Sequence, residues 1–409
     1  MIKRSRKKTD TKKNRKSKIK GGKPHQQDNK CKEIITLVDH TKRVNSVAFH
    51  QTLPLLATGS WDNTAKLYSI SSNKVLSTLT GHTNFVDSVA FHPSMPILAT
   101  GSYDNTAKLW LFESDGSRAK CIATLEGHTR SITCVAFHPK INLLATSSND
   151  ETVKIWSFSN SMLSPKCVST LNSRGTKPMN YVAFHPILNI LATASDDNTA
   201  KLWKFQSDGS NAECVDILSG HSFTVLCVAF EQIGELMATC SSDKTAKLWR
   251  LSPDGLAATP LVTLVGHDDY VTSVVFHPNG DFVATGSRDN TAKLWALSND
   301  GYYAECVMTL IGHTDKISSV AFNYIGNIFA TASWDKTTKL WDCSKSLSQL
   351  RKRLDISHMN QPTQLIEQLK KTTDEDEDKL NDLNLAISRQ KFHSRMTDYM
   401  IEKLEKRSF

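Results

Sequence analysis

Residues 81–110 read GHTNFVDSVAFHPSMPILATGSYDNTAKLW. Three short β-rich runs stand in this stretch: Val-Asp-Ser-Val-Ala-Phe, Ile-Leu-Ala-Thr-Gly-Ser and Thr-Ala-Lys-Leu-Trp, separated by turns rich in Pro, Ser, Asp and Asn. The same phrase recurs along the chain. A histidine opens the unit at His40, His82, His128, His221, His267 and His313. An aspartate follows each after 22 residues, at Asp62, Asp104, Asp150, Asp243, Asp289 and Asp335. An aromatic follows six residues later, at Tyr68, Trp110, Trp156, Trp249, Trp295 and Trp341. One further unit has Asp197 and Trp203 but no histidine. Successive aromatics lie 42, 46, 47, 46, 46 and 46 residues apart. Self-similarity at a fixed period marks an array in which each unit is one supersecondary element. A fourth β-rich run, such as Cys121–Leu125, precedes each histidine. Asp-Gly turns at 115–116, 208–209, 254–255 and 300–301 stand before it. Four short strands per unit and no helical stretch predict one antiparallel sheet per repeat.

Over residues 31–342 this pattern resembles the WD-repeat family. The resemblance implies an all-β, seven-bladed propeller around a central channel, closed by an N-terminal strand at Glu33–Leu37 that completes the last blade. It also implies a buried network in each unit, running from Asp to His, from His to a Ser or Thr, and on to the aromatic. The serines assigned to it are Ser60, Ser102, Ser148, Ser241, Ser287 and Ser333, beside the histidines, aspartates and aromatics above. Blade four lacks the histidine, and Arg174 or Lys177 from its loop is expected to meet Asp197 instead. Only Trp341-Asp342 spells the dipeptide that gives the family its name.

Three features resemble chemistry and are read as structure. His, Ser and Asp in each unit are the residue types of a nucleophilic triad, but several copies at fixed spacing argue for a structural network. His50, His92, His138, His185 and His277 stand one per blade, too far apart around a ring to share an ion, and are expected to be exposed turn residues. The lysines before each aromatic (Lys66, Lys108, Lys154, Lys201, Lys247, Lys293 and Lys339) are spread evenly and are expected to pack their stems between blades. Phosphate-binding glycine loops, zinc-protease signatures and nucleophile elbows are missing from the sequence. No enzymatic activity, cofactor or metal is expected.

The nine cysteines are odd in number and scattered. Cys121, Cys167, Cys214 and Cys306 share one phase of the repeat, and Cys134 and Cys227 another, so they read as small core residues, and a reducing compartment is expected. The net charge of +9 is unevenly placed. Residues 1–30 carry 13 Lys and Arg against Asp10 and Asp28, whereas residues 31–342 carry 24 basic and 28 acidic side chains. No run of 18 apolar residues occurs, so no membrane helix is expected.

The first 30 residues hold two basic clusters, Lys3, Arg4, Arg6, Lys7 and Lys8, then Lys12, Lys13, Arg15 and Lys16. With almost nothing apolar to fold around, this arm is expected to be disordered and to act in nuclear import, in nucleic-acid contact, or as a solubilising tail. A nuclear or nucleolar location is expected, with a cytoplasmic one left open. After the propeller, residues 343–362 read as a linker and 363–409 as a helical tail, with apolar positions at Leu380, Leu383, Ile387, Phe392, Met396, Tyr399, Met400 and Leu404.

In the family the resemblance points to, the face bearing the histidine loops and aspartate turns is a frequent partner site. The positions before each aspartate and three after each histidine collect large side chains on four consecutive blades: Tyr270, Arg288, Lys316, Trp334, Arg43, Trp61, Phe85 and Tyr103. Blades three to five offer mainly small polar residues such as Ser131, Asn149, Asp196, Thr224 and Ser242. The expected function is a scaffold holding other proteins or peptides in a complex. An RNA-associated assembly factor using the basic arm is the alternative, and a propeller enzyme is disfavoured. Deleting residues 1–25 is expected to leave the melting temperature unchanged and to abolish nuclear accumulation. A truncated protein that unfolds, or that still enters nuclei, contradicts this.

Overall fold

The second strand of each repeat is the most demanding segment. Leu55–Ser60, Ile97–Ser102, Leu143–Ser148, Ile190–Ser195, Leu236–Ser241 and Phe282–Ser287 are buried at every position. Such a strand has paired strands on both edges and neighbouring sheets on both faces, so every side chain must be apolar or hydrogen-bonded. It must also be thin. A Cβ at Gly101 would lie 2.7 Å from Ile132 Cγ2 and 2.9 Å from Val135 Cγ1 of the next blade.

The computed structural model describes residues 31–158, 164–172, 177–298 and 301–359, with side chains in the final helix described as far as Lys352. The basic arm, Arg174 and the helical pattern expected over 363–409 lie outside the described residues. Seven four-stranded antiparallel sheets form the blades of a propeller. In blade one the strands are Val44–Phe49, Leu55–Ser60, Ala65–Ser69 and Lys74–Leu79, ordered from the channel outward. Cores form between blades. Leu55, Ala57 and Leu67 pack with Val86, Leu98 and Trp110 of the next sheet. Each fully buried Leu or Val contributes about 1.5–3 kcal/mol. Turns before the third strands use left-handed residues, among them Asn63, Asn105, Asn198 and Asn290, with φ near 70°.

The ring closes through the N-terminus. Lys32–Leu37 pairs with Thr338–Asp342 and makes the fourth strand of blade seven. Lys339 Nζ donates to Glu33 Oε1 at 2.9 Å and to Thr36 Oγ1 at 2.7 Å across this seam.

Two features at this seam lie outside the repeat pattern. Cys31 and Cys343, which lie outside both repeat phases, form a disulfide across 312 residues, with their Cα atoms 4.4 Å apart. Closure alone brings them together, so no local signal announces the pair, and the seven other cysteines are free. Cys134 and Cys227 are core residues as expected, but Cys167, Cys214 and Cys306 are exposed on outer strands, which corrects that reading for their phase of the repeat. The stretch expected as a linker instead carries the helix Ser344–Met359. Asp342 starts it by accepting the Ser344 N–H and hydroxyl. Leu347 and Leu350 are buried against Phe282, Phe329 and Trp341 of blades six and seven. Arg351 is ion-paired with Asp281, whose carboxyl is drawn down to about 2. Burial opposes that shift, but His277 and Arg351 outweigh it.

In the chain-entropy account, closing a loop longer than 100 residues stabilises by about 5 kcal/mol. Reduction of the wild type is therefore expected to lower its melting temperature by several degrees. Cys31→Ser should melt at that lower temperature and ignore reductant. A wild type indifferent to reductant contradicts a stabilising disulfide.

Candidate interaction surface

In six of the seven blades the turn on the histidine-bearing face is held by a chain of hydrogen bonds through the histidine. In blade two, Trp110 Nε1 donates to Thr100 Oγ1 at 2.9 Å, Thr100 Oγ1 meets His82 Nε2 at 2.7 Å, and His82 Nδ1 meets Asp104 Oδ2 at 2.7 Å. The roles follow from donor counting. The indole can only donate, so the threonine oxygen accepts from it and sends its own proton to Nε2. Nδ1 then carries the hydrogen given to the carboxylate. The second oxygen, Asp104 Oδ1, takes the Thr106 N–H and hydroxyl. Burial raises the pKa of Asp104, but the bonds from His82 and Thr106 outweigh it and hold the carboxyl well below its usual range.

The same links recur at His40, His128, His221, His267 and His313. Their hydroxyl partners are Thr58, Thr146, Thr239, Thr285 and Thr331. This corrects the assignment of the hydroxyl to serine. Ser60, Ser102, Ser148, Ser241, Ser287 and Ser333 lie two residues further on, at the strand end. Each accepts the N–H of its aspartate and donates to a carbonyl of the histidine loop, as Ser102 does to Asp104 N and Asn84 O. Thr recurs before these serines in every unit, blade four included, which was the available signal. In blade one Tyr68 takes the tryptophan position, its ring buried beside Thr58 and Asp39.

Blade four keeps half of the network. Trp203 Nε1 donates to Thr193 Oγ1 at 3.0 Å, while Asp197 is ion-paired with Lys201. Among the described residues the substitute therefore comes from the strand, and Lys177 is exposed; Arg174 lies outside the described residues. In blades one to three, five and six the corresponding lysines instead donate to threonines of the outer strand: Lys66 to Thr78, Lys108 to Thr124, Lys154 to Thr170, Lys247 to Thr263 and Lys293 to Thr309. Lys201 is 5% exposed, where they are half-buried.

The expectation that His50, His92, His138, His185 and His277 are exposed is also corrected, since all five are buried. Nδ1 of His92 accepts the backbone N–H groups of Ser94 and Met95, which closes the turn between first and second strands. Nε2 of His185 pairs with the Gly234 carbonyl of the adjacent blade. Burial depresses His92 and His138 to about 4, so they are neutral at pH 7.

The large residues on blades six, seven, one and two form one continuous array. Trp61 stacks on Phe85, with centroids 4.5 Å apart and planes 4° apart, and reaches Tyr103 at 6.1 Å and Trp334 at 6.2 Å. Arg43 lies between the two tryptophans, 4.8 Å from the Trp61 centroid and 3.8 Å from that of Trp334. Arg288 bridges Tyr270 at 4.7 Å and Trp334 at 5.4 Å, while Lys316 sits 4.7 Å from Trp334. Trp61, Tyr103, Arg288 and Trp334 also line the central channel, a cavity of about 790 Å³.

One residue of this rim was missed. Asp87 lies beneath Trp61, and its Oδ1 accepts from Asn45 Nδ2 at 2.6 Å and from Trp61 Nε1 at 3.3 Å. Burial pushes it up to about 7, against the effect of both donors. Around the ring its position holds Asn45, Thr133, Asn180, Leu226, Thr272 and Ser318, and Asp87 is the one acid among them. Thr133, Asn180, Thr272 and Ser318 each donate to a backbone carbonyl of the next blade, which an aspartate carboxylate cannot do. That break in pattern was the sequence signal. Among the described residues no three His, Cys, Asp or Glu converge as a metal site, and no helix is long and apolar enough to cross a membrane.

Buried hydrogen-bond networks, six with a histidine and one without, on seven four-stranded blades define a repeat β-propeller. Residues 31–69, 73–110, 119–157, 165–204, 212–250, 258–296 and 304–342 each match the WD domain, G-beta repeat family, and the chain belongs to it. No curated protein matches the chain.

Lys201→Met is expected to destabilise the protein by about 3 kcal/mol, because it strands the Asp197 carboxylate. Lys108→Met should change stability by no more than about 0.5 kcal/mol. Equal effects in chemical denaturation contradict a special role for Lys201.

Proposed function

We propose that this chain is a non-catalytic scaffold that binds a protein partner through the array running from Tyr270 to Tyr103. Propellers of this family generally bind other proteins in complexes, and the rigid turns supply a broad platform for that. The observation that carries the reading is the unbroken run of rings and guanidiniums over four consecutive blades, at the rim of the channel. Aromatic and arginine side chains held together at a surface are the composition of interaction hot spots. The other blades present small polar residues at the same positions, so the partner binds off-centre, through an acidic or apolar segment. The charge of residues 1–30 supports a nuclear location within the same proposal. It also favours the second reading, an RNA-associated assembly factor, which nuclease-sensitive recovery of partners would support.

Trp61→Ala with Trp334→Ala is expected to weaken partner binding by at least about tenfold, or about 1.4 kcal/mol, with the fold intact by circular dichroism. Ser131→Ala with Asn149→Ala should do little. Equal effects from both pairs in a binding titration, or none from the tryptophans, reject this surface.

A further inference from the structure

Three cations converge on one indole. Arg43 Cζ, Lys316 Nζ and Arg288 Cζ lie 3.8, 4.7 and 5.4 Å from the centroid of Trp334. None of them takes part in an ion pair among the described residues. Nε of Arg288 is buried and has no hydrogen-bond partner among the described residues. Two carboxylates of the adjoining loops bond their own backbone. Asp269 Oδ1 accepts the Tyr270 N–H and Asp315 Oδ1 accepts the Lys316 N–H. A ring face attracts a guanidinium and holds it in place, but it does not satisfy the N–H fork around the guanidinium edge. The described residues therefore place three like charges around one indole and offer none of them a carboxylate.

We propose that Arg43, Arg288 and Lys316 form a receptor for one phosphorylated serine or threonine side chain of the partner segment; this rests on the reading of the face as the partner surface. A carboxylate is satisfied by one guanidinium fork. A phosphate monoester brings close to two negative charges and three strong acceptor oxygens, which suits three separate cations. Nucleic acid fits less well. One face of Trp61 is covered by Phe85, and Trp334 is beset by cations, so bases find few free rings to stack on. Asp39 and Asp268 are exposed on the same set of loops and repel a long run of phosphates, but leave room for a single one.

The test titrates the full chain, by fluorescence anisotropy, with peptide libraries of identical degenerate flanks around a central phosphoserine or a central glutamate. The phosphoserine library is expected to bind at least about tenfold tighter. Arg43→Ala and Lys316→Ala should each weaken it at least about fivefold. Free phosphoserine should compete, and a single-stranded RNA oligonucleotide should not. Lys316 is a half-exposed side chain, so Lys316→Ala carries the test even if Arg43→Ala fails to fold. Equal affinity for the two libraries, unchanged binding in Lys316→Ala, or competition by RNA alone overturns the proposal. Phosphatase treatment of the partner separates the two readings. If Trp61→Ala with Trp334→Ala releases the partner while phosphatase does not, the phosphate receptor is wrong and the surface stands. If the tryptophan pair has no effect but the phosphoserine library still depends on Lys316, the surface is wrong and the receptor stands.

Discussion

A threonine hydroxyl in the middle of each blade must be satisfied where no water reaches. Thr58, Thr100, Thr146, Thr193, Thr239, Thr285 and Thr331 are all fully buried on second strands enclosed by neighbouring sheets. In six blades the imidazole from the preceding loop supplies the acceptor; in five of those, and in blade four, an indole from the third strand supplies a donor. An unmet bond at such a site costs about 1–3 kcal/mol. Seven copies therefore tie loops, strands and turns into one framework. The aspartate extends the chain to the surface and accepts N–H groups of its own turn and of the histidine loop, so the residue just before it stands on a rigid base.

That rigidity is what makes the proposed surface usable. Trp61, Tyr103, Arg288 and Trp334 all occupy the position before the network aspartate, and Arg43, Phe85, Tyr270 and Lys316 stand three residues after the histidine. Both positions are anchored by the same hydrogen-bonded unit. The backbone N–H of Trp61 bonds the Arg43 carbonyl, and that of Arg288 bonds the Tyr270 carbonyl. Ordering a surface before a partner arrives reduces the entropy lost on binding. Asp87 adds a second fixed point by holding the Trp61 indole from below.

The ends of the chain obey a different constraint. A ring of blades has no intrinsic seam, so the join must be made by contacts that no repeat contains. Here they are the Lys339 bond to Glu33, the Cys31–Cys343 disulfide, and the helix packed across blades six and seven through Leu347, Leu350 and Arg351. All three lie where the repeat pattern stops.

Phased histidines, aspartates and aromatics identify the blades, their number and their strand order from sequence alone, because each repeat is built by local spacing and local turns. The clustering of large residues on blades six to two is legible for the same reason, since closure makes blade seven the neighbour of blade one. Side-chain partnership is another matter. Thr100 and Ser102 both offer a hydroxyl, and only strand depth decides that the first meets His82. Lys201 resembles its six counterparts in sequence, yet the missing histidine leaves room for it to turn to Asp197. His92 reads as a turn residue and is one, but the adjoining blade buries it. The disulfide and the convergence of Arg43, Arg288 and Lys316 on Trp334 join residues far apart in the chain, so tertiary packing alone decides them.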